Sequence, residues 1–172
     1  MASINRLSPI LAIAVGVLHA GLAAVLTVVD VKPNLLLAAT VIVVASWGPV
    51  HGATWAFVGG LTANVLGGEP MGSVPLTLLV VAALTAGAAP AFTRLPLLYP
   101  VIAAFAGSIV ADLGMLLILQ LFEGGEWRGL QLGLLLGAAA VNAGLAALLF
   151  IPARSLVRRR ELAPHVVSRW RT

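Results

Sequence analysis

The chain has 172 residues, of which 60% are hydrophobic and 9% charged, and its mean hydropathy is +1.07. A soluble domain carries about 25% charged and about 45–50% apolar residues, so this composition excludes a soluble enzyme, a nucleic-acid module and a disordered linker. The formal charge of +4 and the pI near 11.2 do not mark a nucleic-acid surface, because six of the ten cations lie in the last nineteen residues.

The composition therefore predicts an all-α polytopic membrane protein. A transmembrane helix needs about 20 largely apolar residues, and the first run, 7–29, meets this with His19 as its one strongly polar residue. It is too long for a signal-peptide core and a second apolar run follows closely, so a cleaved signal is not expected. Residues 34–66 are apolar but broken at Gly48-Pro49-Val50-His51-Gly52, which predicts two short helices, 34–47 and 51–66. A turn-rich loop, Gly67-Gly68-Glu69-Pro70-Met71-Gly72, leads to a fourth helix over 74–89. The fifth, 97–121, carries Pro100 in its first turn, where proline is tolerated. The sixth spans 129–151 and is expected to stop at Pro152. The chain thus divides into a six-helix transmembrane domain, 1–152, and a basic juxtamembrane tail, 153–172.

Six spans place both termini on one side. That side then holds Arg6, Arg94 and the six C-terminal arginines, eight cations, against Lys32 and Arg128 on the other. Lys and Arg accumulate on the cytoplasmic side, so the expected arrangement has both termini in the cytoplasm of a bacterium and the helices in its inner membrane. The tail, with Arg154, Arg158, Arg159 and Arg160 and then Arg169-Trp170-Arg171, interleaves cations with apolar residues. It reads either as a lipid-surface segment or as a topology anchor.

Ionisable groups at membrane depth are costly and default to a functional hypothesis. His19 in the first helix and Asp112 in the fifth are the candidates, and the polar Asn142 of the sixth lies at comparable depth to Asp112 on an antiparallel neighbour. Proton or ion coupling is one reading of Asp112; a hydrogen bond locking helices five and six is the other. His19 reads as a titrating switch or as a neutral ring bonded to a neighbouring helix. His19, His51 and His165 are too dispersed for a metal site, and no catalytic group set, cofactor motif or phosphate loop appears. Small residues recur every fourth position in Ala12-Gly16-Ala20-Ala24, in Gly52-Ala56-Gly60-Asn64 and in Gly129-Gly133-Gly137. Such stripes let helix backbones approach closely. Gly52, Ala56, Gly60 and Asn64, with Gly16 and Ala20 as the alternative, are the expected surface for a partner helix.

Three further runs carry a resemblance. Lys32-Pro33-Asn34-Leu35-Leu36-Leu37, Gly48-Pro49-Val50-His51-Gly52 and Gly59-Gly60-Leu61-Thr62-Ala63-Asn64, followed by the loop 67–72, resemble the bacterial rod shape-determining MreD family. The likeness covers about a third of the chain, and Asn64 stands where that family usually has aspartate. The resemblance implies a non-enzymatic scaffold of the cell-elongation complex. It would bind the single-span protein MreC and act with RodA, a class B penicillin-binding protein and MreB in lateral peptidoglycan synthesis and cell shape. The same fold kinship implies an alternative, the substrate-binding S-component of an energy-coupling-factor vitamin transporter.

Overall fold

A computed structural model describes residues 2–23, 31–123 and 131–162. These form six α-helices: α1 Ala2–Ala23, α2 Leu35–Trp47, α3 Pro49–Gly67, α4 Ser73–Ala88, α5 Tyr99–Glu123 and α6 Leu132–Leu162. A short 3-10 turn, Ala89–Phe92, extends α4. Three segments, Ser73–Phe92, Tyr99–Phe122 and Leu132–Pro152, are long and apolar enough to cross a membrane. Leu7–Leu22 and Leu35–Trp47 are shorter apolar helices.

Helix α2 is the axis of the bundle. Its sequence, LLLAATVIVVASW, has no polar stripe, and a helix apolar all round must be covered all round. It packs against each of the other five α-helices, while α1, α3, α4, α5 and α6 follow one another around it. Leu36, Leu37, Val41 and Val44 of α2 meet Ala56 and Ala63 of α3, Leu78 and Val81 of α4, Ala104 and Ala111 of α5, and Ala146 of α6 in one core.

The break between α2 and α3 is tighter than the sequence suggests. Between α2 and α3 a single residue, Gly48, makes the turn with φ +89°, a left-handed conformation that glycine adopts without a Cβ clash. Pro49 then occupies the first helical position, where its missing N–H costs nothing, so α3 starts two residues before the expected 51. Helix α1 begins upstream of residue 7 and includes Pro9. The expected stop at Pro152 is overturned: α6 runs through it to Leu162. Pro152 is exposed and removes only one backbone donor, while the residues after it are mostly strong helix formers. Arg154, Arg158, Arg159 and Arg160 therefore continue the sixth helix, which runs unbroken across the boundary between 152 and 153.

Small residues set how closely α3 is approached. A Cβ built at Gly60 would lie 2.8 Å from the Pro75 Cα of α4, and one at Gly16 of α1 would lie 2.7 Å from the Gly59 carbonyl oxygen. By contrast a Cβ at Gly21 meets nothing within 4 Å. Gly60→Ala should therefore destabilise by about 1–3 kcal/mol through overpacking. Gly21→Ala should be neutral or stabilise by up to about 1 kcal/mol through helix propensity. Thermal unfolding of the two purified variants checks the contrast, and equal midpoints would contradict the close α3–α4 contact.

Candidate functional site

The N-terminus of α2 is where the central helix stops and its neighbours continue. Asn34 caps it, its side-chain Oδ1 accepting the Leu37 N–H at 2.9 Å. The Asn34 backbone N–H donates to Asn142 Oδ1 of α6 at 2.7 Å. That bond fixes the orientation of the Asn142 amide. Its Nδ2 then donates to Ser108 Oγ of α5 at 2.8 Å. Having accepted from the amide, the Ser108 hydroxyl donates onward to Asp112 Oδ2, a long link of 3.4 Å. A one-way chain of donors thus runs from the cap of α2 to a carboxyl one helical turn beyond Ser108. Asp112 and Asn142 meet through Ser108 rather than directly.

The loop between α3 and α4 closes the same end. Asn64 is buried, donates Nδ2 to the Glu69 carbonyl oxygen at 3.0 Å and accepts the Gly72 N–H on Oδ1 at 2.7 Å. It ties the two ends of the loop, and a neutral amide suits this task because it donates and accepts at once.

Together these elements enclose a cavity of about 450 Å³ at the Glu69 end of the bundle, within the size range of small-ligand sites. His19, Asn34, Glu69, Thr77, Asp112 and Asn142 contribute its polar lining, and Lys32 stands beside them. Leu66, Val74, Leu78 and Met115 line its apolar part. His19 is half-buried there and makes no hydrogen bond among the described residues. Partial burial pushes the Glu69 carboxyl above the ordinary carboxylate range, and the nearby Lys32 ammonium opposes that shift. Glu69 remains exposed overall, so Lys32 and Glu69 are a loose, solvent-screened pair at the mouth. No group of three or more His, Cys, Asp or Glu side chains among the described residues could hold a metal ion.

The expected partner surface is not free. Gly52, Ala56, Gly60 and Asn64 are all buried: Gly52 abuts Val44 of α2 and Gly60 abuts Pro75 of α4. Gly16 packs on Gly59 and Thr62, and Ala20 lines the cavity. Both stripes hold the bundle together, because the same absence of bulk that would admit a partner admits α1, α2 and α4 first. Sequence reasoning missed Asn34 as a cap, although an Asn directly before Leu35-Leu36-Leu37 is an N-cap signature. It missed Thr77 and Ser108 as cavity and relay groups, for which hydroxyls inside apolar runs give little signal. Arg154, half-buried, lines a separate cavity of about 320 Å³ at the Arg94 end with Phe92, Tyr99 and Phe150. Glu126, Trp127, Arg128, Arg169, Trp170 and Arg171 lie outside the described residues.

Because its folded form holds the proton more tightly, Glu69 contributes stability that is present below the ordinary carboxylate value and lost as pH rises through the raised one. The Glu69 carboxyl, followed by NMR, should titrate above the usual range. Lys32→Gln should raise it further by removing the opposing charge. A fall on Lys32→Gln would contradict this placement of the mouth.

Comparison of the chain with protein-family models, with curated proteins and with solved structures finds no match.

Proposed function

We propose that the chain is a non-enzymatic membrane scaffold of the MreD type, embedded by six helices in the bacterial inner membrane with both termini in the cytoplasm. It would bind a single-span MreC-like protein through helix packing and, with RodA, a class B penicillin-binding protein and MreB, support lateral peptidoglycan synthesis. In support of the resemblance, the residues that carry it are joints of the bundle. Asn34 caps the central helix, Gly48 makes the α2–α3 turn, Gly60 admits Pro75, and Asn64 ties down the loop ending at Gly72. The excess of arginine at the Arg94 end supports the orientation.

The observation that carries the scaffold reading is a face of α6 that no neighbour among the described residues covers. Gly133, Ala140 and Gly144 are exposed at spacings of seven and four, which place them on one side of the helix. A Cβ added at Gly133 or at Gly144 meets nothing within 4 Å. In lipid, association depends on close packing and hydrogen bonds rather than on apolar burial, and this face offers such packing where α3 does not.

A second reading, the S-component of an energy-coupling-factor transporter, is favoured by one observation, the polar-lined cavity at the Glu69 end. Under the six-helix arrangement that end faces outward, where a substrate would arrive.

Two measurements test the proposal. Gly133→Leu and Gly144→Leu should fold normally and lose co-purification with the MreC-like protein by about tenfold or more, the equivalent of about 1.4 kcal/mol. Retained association in both variants would remove the α6 interface. Reporter fusions after Thr172 and at Arg94 should be cytoplasmic, and one at Glu69 exported. Export of the C-terminal fusion would eliminate the six-span topology.

A further inference from the structure

The hydrogen-bond chain at the Glu69 end terminates on one oxygen of Asp112 and leaves the other open. Each donor in the chain is committed: Asn34 N–H to Asn142, Asn142 Nδ2 to Ser108, and Ser108 Oγ to Asp112 Oδ2. Asp112 Oδ1 has no hydrogen-bond partner among the described residues, and Asp112 lines the cavity. Among the described residues no cation is paired with it. The charged groups facing the cavity among the described residues are Lys32, Glu69 and Asp112, with His19 as the remaining titratable group. Lys32 and Glu69 offset one another at the mouth. What is left inside is a single carboxyl, about 16 Å below the end of α5 by helical rise, beside an apolar wall of Ala63, Leu78, Ala111 and Met115.

We propose that this cavity is a binding site for a small organic ammonium ion, a protonated amine on a short aliphatic body. The ammonium donates to the open oxygen of Asp112, and the aliphatic body lies along the apolar wall. A half-buried carboxylate with one long hydrogen bond and no paired cation among the described residues gains from a counter-charge and further donors, and a protonated amine supplies both. A neutral alcohol supplies a donor without the charge. A carboxylate ligand meets repulsion from Asp112 and no compensating cation at that depth. Such an ion fits the space, since sites for small molecules of this kind are mostly apolar with a few convergent polar groups. The site rests on the cavity and the donor chain, independently of the α6 interface, so failure of either leaves the other standing.

The test uses the full chain in phosphatidylcholine nanodiscs, whose neutral surface does not concentrate cations. With n-butylammonium as probe, saturable binding is expected by ligand-observed NMR or calorimetry, and none with n-butanol or butyrate. Asp112→Asn should weaken the binding by about tenfold or more, as loss of a charge-assisted hydrogen bond requires, and Asp112→Glu should restore part of it. Ala138→Leu, which fills the cavity without removing a hydrogen-bonding group, should weaken it as well. Unchanged affinity in Asp112→Asn, equal binding of butyrate, or no saturable binding of the amine up to about 10 mM would each overturn the proposal. Should Asp112→Asn fail to fold, the three-probe comparison on the parent chain and the Ala138→Leu variant decide the matter.

Discussion

A helix without a polar face, enclosed by other helices, still has to satisfy the backbone groups at its two ends. An N–H or C=O left without a partner in an apolar medium costs several kcal/mol. Helix α2 meets this demand with little sequence. Asn34 closes its own first turn and passes its backbone N–H to Asn142, while at the other end the Gly48 N–H returns to the Val44 carbonyl at 3.0 Å. Because Asn142 belongs to α6 and binds Ser108 of α5, capping α2 also fixes the relative height of three helices. The rest of the bundle is arranged around a satisfied end.

The second constraint is thickness. Five helices reach α2 or its neighbours only if some backbones come close together, and α3 carries most of that demand. Its buried face is Gly52, Ala56, Gly59, Gly60, Ala63 and Asn64. Val44, Leu36, Ala12 and Pro75 lie where a Cβ on one of those glycines would stand. The small residues of α3 are thus consumed internally. Those of α6 at Gly133 and Gly144 are not, because α6 sits at the end of the series around α2 and has α5 and α2 as its main neighbours.

The cavity is a consequence of length. At 1.5 Å per residue, α2 with 13 residues is about 20 Å long and α5 with 25 is about 38 Å. A short central helix among longer ones leaves space beyond its end. At the Asn34 end that space is roofed by the loop that Asn64 ties down and walled by all the surrounding helices. The polar groups that cap α2 consequently line the space beyond it. Structural satisfaction and the proposed ligand contact are thereby provided by one hydrogen-bonded chain, with Asp112 at its open end.

Composition alone determined that the chain is helical and suited to a membrane, since 60% hydrophobic and 9% charged residues leave too little polar surface for water. Glycine and proline punctuation located the helix breaks within a few residues, because those residues act through local backbone geometry. Where the effect of a residue depended on its neighbours, local reading failed. Pro152 reads as a stop but is carried within α6, and the α3 stripe reads as an outward surface but is buried. Periodicity says which residues share a face, and only packing says what that face meets. Asp112 and Asn142 were legible as costly polar groups at similar depth. Their link through Ser108, the cap at Asn34 and the cavity they share were decided by tertiary structure, because groups 108 and 34 residues apart in sequence come within hydrogen-bond distance only when α2, α5 and α6 are packed together.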